Sequence, residues 1–122
     1  MISAERIKEY CLARLKAYED YPFGDVPVCF RLNGRIFAQL YPNPDNFRIT
    51  LKCPADIGQL YRQLYPGTVT RGYHCPPVQQ PYWNTIDIGN FPEDELLYLI
   101  DIAYDTVLSG FPKKVRQQIA EE

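Results

Sequence analysis

Apolar positions change period several times along the chain, and each change marks an element. Ser3 followed by Glu5 is a helix-start pattern, and Ile7, Cys11, Leu15 and Tyr18 recur behind it at helical spacing. That predicts a helix ending near Tyr18, before the turn-rich Tyr21-Pro22-Phe23-Gly24-Asp25. Val26 to Leu32 and Arg35 to Tyr41 read as two strands around Asn33-Gly34. Phe47 to Lys52 alternates as a third, with Phe47, Ile49 and Leu51 inward and Arg48, Thr50 and Lys52 outward.

The hairpin register follows from which face each pairing makes apolar. A two-residue Asn-Gly loop pairs Phe30 with Phe37 and sets Val28 opposite Gln39, mixing polarity on both faces. A three-residue loop, Leu32-Asn33-Gly34, pairs Phe30 with Ile36, Val28 with Ala38 and Val26 with Leu40, and one face becomes wholly apolar. The three-residue loop is therefore the expectation. It leaves Cys29, Arg31, Arg35, Phe37, Gln39 and Tyr41 on the other face.

Past Pro54 the period returns to that of a helix, with Ile57, Leu60, Tyr61 and Leu64 as its stripe and Tyr65-Pro66-Gly67 as its stop. Thr68 to Tyr73 and Tyr82 to Ile88 are two further strand-like runs. Pro92 opens the longest helix, whose first turn is acidic at Glu93, Asp94 and Glu95 and whose buried stripe is Leu96, Leu99, Ile100, Ala103 and Val107. Gly110 caps it, and a short tail helix follows from Pro112. This order predicts a single α+β domain over 1–122, with helices on one face of a mainly antiparallel five-stranded sheet.

Composition agrees and excludes much else. The chain has 122 residues and is 46% hydrophobic, enough apolar surface to offset the entropy of ordering, so disorder is excluded. No apolar run approaches membrane-spanning length, and the first residues lack the apolar core of a signal peptide, so a cytoplasmic location and no membrane partner are expected. Cys11, Cys29, Cys53 and Cys75 form no C-x-x-C pair, and His74 is the sole histidine, so neither a metal site nor a cofactor is expected. Without a secretion signal, the cysteines read as free structural thiols.

The formal charge of -2 argues against a protein that coats nucleic acid by bulk charge. Divided along the chain, it is -1 over 1–25, +4 over 26–75 and -5 over 76–122. A polarised chain leaves a local basic surface open.

Several local sequences stand in a telling order: Asn33-Gly34-Arg35-Ile36-Phe37-Ala38, Ile49-Thr50-Leu51-Lys52-Cys53-Pro54, Pro66-Gly67-Thr68-Val69 and Gly72-Tyr73-His74. Trp83-Asn84-Thr85-Ile86, Leu96-Leu97-Tyr98-Leu99-Ile100, Ala103-Tyr104 and Lys113-Lys114-Val115-Arg116 complete a set spanning roughly 3–119. This ordered set resembles the MmcQ/YjbR-like family of small bacterial proteins. The resemblance implies a two-layer α-β(3)-α-β(2)-α sandwich similar to secretion chaperones. It also implies DNA binding, with hairpin loops as a pair of wings, and a link by name to mitomycin resistance. One departure is the connection 74–81, which is rich in proline and carries no Lys or Arg for a phosphate.

Two constellations carry candidate chemistry. Arg31, Arg35, Arg48 and Lys52, interleaved with Phe37 and Tyr41, suit phosphate contact plus base stacking, and Arg71 extends the basic set. The plainer reading is a solvated sheet face whose Arg and Lys stems cover apolar surface. Tyr73, His74 and Trp83, beside Arg71, can line a pocket or a stacking platform; the plainer reading makes Trp83 a packing residue.

Catalytic motifs are lacking: there is no G-x-S-x-G and no phosphate-cradling glycine loop. His74 and Cys75 are adjacent, so in extended chain their side chains point apart. The leading expectation is a non-enzymatic module that binds DNA weakly through a basic sheet face and hairpin loops. The alternative is a domain that binds a small aromatic molecule or a protein partner through the Tyr/His/Trp surface, the acidic 76–122 segment suiting a basic protein.

Overall fold

The computed structural model describes residues 1–72 and 75–121. Four helices, α1 (Ala4–Leu12), α2 (Ala55–Leu64), α3 (Glu93–Ser109) and α4 (Lys113–Ala120), accompany six strands. The strands are β1 (Tyr18–Asp20), β2 (Val28–Leu32), β3 (Arg35–Tyr41), β4 (Arg48–Lys52), β5 (Val69–Arg71) and β6 (Trp83–Asp87). They form one open antiparallel sheet in the order β1-β2-β3-β4-β6-β5. The α+β expectation holds, with six strands where five were expected.

The extra strand comes from the first helix ending early. Ser3 caps α1 by accepting from the Arg6 amide, and Ile7 and Cys11 are buried as expected. The chain then turns, with Lys16 at φ 60°, and Leu15 and Tyr18 are exposed. Tyr18-Glu19-Asp20 pairs with β2 along the sheet edge, where backbone bonds hold it without a buried side. An element with no apolar face leaves no periodicity to read.

The β2–β3 hairpin corrects the expected register. Leu32 pairs with Arg35, so the loop is the two-residue Asn33-Gly34, both at positive φ (47° and 87°) as a tight primed turn requires. The pairing then shifts: Arg31 faces Ile36, but Phe30 faces Ala38 and Val28 faces Leu40. Phe37 is the extra residue of a bulge. The bulge brings Phe30, Ala38, Val28 and Leu40 onto one apolar face despite the short turn. It also buries Phe37, which was expected outward, edge-on to Tyr104 of α3 with ring centroids 5.6 Å apart. Val26, expected inward, lies outside β2 and is exposed.

Helix α3 crosses β2, β3 and β4, and its expected stripe is buried together with Tyr104. Helix α2 packs over β5 and β6 through Gly58 and Tyr61. Its expected stripe is therefore half wrong, because Leu60 and Leu64 are exposed. Gly58 is the reason: a Cβ there would lie 2.8 Å from Cys53 Sγ, so the helix approaches the sheet on its smallest residue. All helices named as packing on the sheet lie on one side, leaving the other side as its outer face.

Candidate binding groove on the outer sheet face

Residues opposite one another on antiparallel strands share a face, so the pairings assign the outer surface row by row. Tyr41, Arg48 and Asp87 form the first row. Gln39, Thr50, Thr85 and Thr70 form the second, and Lys52 and Trp83 the third. The hydroxyls of Thr50 and Thr85, both buried, lie 2.9 Å apart and tie the middle row together.

The five expected cations do not form one patch. Arg31 is on the outer face, but its Nε donates to Asp20 Oδ2 at 2.7 Å and its Nη1 to the Gly34 carbonyl at 2.8 Å. Its charge is matched there. Arg35 stands opposite the fully buried Leu32, on the helix side. Its guanidinium sits over the Phe111 ring at 4.4 Å, and its Nη1 donates to the Gly110 carbonyl at the end of α3. The bulge produces this placement, because it reverses the face of residues between it and the turn. Arg71 stands opposite Asn84, whose side chain reaches the Gly58 carbonyl of α2, so it too belongs to the helix side.

Arg48 and Lys52 remain together on the outer face. The ion pairs among the described residues are Lys8–Glu5, Arg14–Asp101 and Arg31–Asp20, so neither cation has a carboxylate partner. Both rest on aromatic rings instead. Arg48 lies over Tyr41 at 4.4 Å, and Lys52 Nζ lies 5.1 Å from the Trp83 ring and 5.7 Å from that of Tyr82. Trp83 is half-buried on this face, beside Lys52; Tyr73 and His74, its expected companions, lie outside the described residues.

At the Arg48 end the face deepens into a groove of about 810 Å³. One wall is the N-terminal stretch from Met1 to Ala4, and another is the loop carrying Pro42, Pro44 and Phe47. Arg48, Thr70, Thr85 and Asp87 are among its polar groups, with Asp45 on the loop wall. Arg48 Nε is buried without a hydrogen-bond partner among the described residues. Asp87 Oδ2 accepts from Asn90 Nδ2 at 2.8 Å. Thr70, Thr85 and Asp87 were missed in the sequence, because they join Arg48 only through the pairing of β4 with β6 and β6 with β5.

The thiols are held protonated. Burial pushes Cys11 up to about 12 and Cys53 to about 11, and it raises Cys29 and Cys75 as well. All four are free, as expected. No group of three His, Cys, Asp or Glu suited to a metal occurs among the described residues. No helix among them is long and apolar enough to cross a membrane.

Fold and surface together define a small α+β protein with helices on one face of an open antiparallel sheet and a groove on the other. The family model described as YjbR matches residues 12–106, and the chain belongs to that family. The Uncharacterized protein YjbR of Escherichia coli K12 is 19% identical over 121 residues, covering 98% of this chain and 99% of that one. The crystal structure of a Deinococcus radiodurans protein with the family-model domain DUF419 superposes with a TM-score of 0.88 at 25% identity, over 100% of this chain and 91% of that one. A Pseudomonas syringae protein gives a TM-score of 0.66 at 19% identity, over 84% and 96%.

Proposed function

We propose that this protein is a non-enzymatic binding module that holds the oxyanion group of a small ligand in the groove at Arg48. One observation carries the reading: a guanidinium without an ion-pair partner lines a groove of about 810 Å³, a size suited to a small molecule. A ligand oxyanion gains a charge-assisted, bidentate contact from such a group. Four thiols kept protonated by burial are poor nucleophiles, which favours binding over covalent catalysis. The same free thiols suit the reducing cytoplasm as the site of action.

The test uses 3-phenylpropionate as an aromatic anion, followed by amide chemical shifts. Shifts at Thr70, Thr85 and Asp87 that vanish in Arg48→Gln are the expected result. A spectrum left unmoved at millimolar ligand overturns the reading.

Weak binding of single-stranded DNA is a second reading, supported by Lys52 lying against Trp83 and Tyr82 on the same face. A cation beside aromatic rings suits phosphate and base together. Oligonucleotide binding followed through the fluorescence of Trp83 is expected to weaken with salt and in Lys52→Ala. An unchanged titration in that variant removes this reading.

A further inference from the structure

We infer that the groove selects a small zwitterion of the amino-acid type, with its carboxylate at Arg48 and its ammonium at Asp87; this rests on the reading of the groove as the binding site. Arg48 and Asp87 are directly opposite on β4 and β6, yet they form no ion pair. The reason is where Arg48 goes: its guanidinium leans over Tyr41 of β3, the strand on the far side of β4 from Asp87. Two opposite charges thus stand apart across β4, and both line the groove.

The span fits. From β3 to β6 is two strand spacings, about 10 Å. A charge-assisted hydrogen bond of about 2.8 Å at each end leaves about 4 Å between the ligand's own charged atoms. That is the reach of an α- or β-amino acid. A ligand with an anion alone faces the Asp87 carboxylate, with Asp45 also on the groove wall, and a cation alone faces Arg48. Only a molecule carrying both charges satisfies both sides. Thr85 on β6 and Thr70 on β5 add hydroxyls on the Asp87 side, and Phe47, Pro42, Pro44 and Ile2 offer an apolar wall for a side chain.

Calorimetric titration with phenylalanine, 3-phenylpropionate and phenethylamine tests this, since the three share a ring and differ in charge. Phenylalanine is expected to bind about tenfold more tightly than either of the others. Asp87→Asn is expected to reduce phenylalanine to the affinity of 3-phenylpropionate, and Arg48→Gln to that of phenethylamine. Circular dichroism of each variant checks the fold, and Lys114→Ala, exposed on α4 and outside the groove, is expected to leave all three affinities unchanged. If 3-phenylpropionate binds through Arg48 as tightly as phenylalanine does, the groove stands as an anion site and the zwitterion is overturned. If neither binds, both readings fall.

Discussion

Arg62 Nη1 donates to Asn84 Oδ1 at 2.6 Å, and this contact ties α2 to the inner face of β6. The Asn84 amide also donates to the Gly58 carbonyl at 3.0 Å, so a side chain only 4% exposed is bonded on both sides. Burial, with the Arg71 guanidinium nearby, lowers the Arg62 pKa from its ordinary value. Replacing Asn84 by Leu is expected to destabilise the fold by about 1–3 kcal/mol, the cost of stranding a buried polar partner. Urea denaturation measures it, and a variant as stable as the parent would show that the pair contributes nothing.

Gly58 sits in the middle of α2, where alanine gains about 1 kcal/mol of helix propensity. The contact with Cys53 Sγ reverses that sign here, since an added Cβ lies at 2.8 Å from the sulfur. Gly58→Ala is expected to lower the melting temperature, and Cys53→Ala in the same chain to restore part of the loss. Additive losses in the double variant would place the clash elsewhere.

Stability is expected to fall in alkali for a reason that can be assigned. The Cys11 and Cys53 thiols are raised to about 12 and about 11 from an ordinary 9.0, so above pH 9 the unfolded chain releases protons that the native chain keeps. The contribution is fully present below pH 9 and is lost as pH rises toward 11 and 12. Tyr10, Tyr21, Tyr61, Tyr65 and Tyr104 are raised as well and add to the decline as pH nears 10, so the thiol contribution is clearest close to pH 9. The Cys11→Ala/Cys53→Ala variant is expected to show a shallower decline there; an identical slope sinks the assignment.

The bulge in β3 makes a prediction by contrast. Phe37→Ala is expected to cost about 3–5 kcal/mol, because the ring is fully buried against Tyr104. Ile36→Ala is expected to cost about 1 kcal/mol or less, because Ile36 is only half-buried opposite Arg31. The unbulged three-residue loop predicts the reverse ranking in guanidinium unfolding.

The same bulge shows why the site was only partly legible. Arg48 and Lys52 were read correctly as outward, because β4 alternates without interruption and local period sets its faces. Arg35 was placed on that surface too, but one extra residue at Phe37 turns it to the helix side. Strand β1 was invisible because backbone bonds and the Arg31–Asp20 ion pair hold it, with no apolar face to give a periodicity.

Local pattern by itself determined the long helix α3 with its buried stripe, the strand β4, the free thiols and the α+β class. Those features depend on periodicity and burial, which neighbouring residues encode. Tertiary structure alone decided the hairpin register, the sixth strand and the meeting of Arg48 with Asp87, Thr70 and Thr85. The last depends on β4 pairing with β6 across 31 to 39 residues of chain and on β5 pairing with β6 across 13 to 17. Such pairing is chosen by the fit of whole faces against α2 and α3, and no short window of sequence contains it.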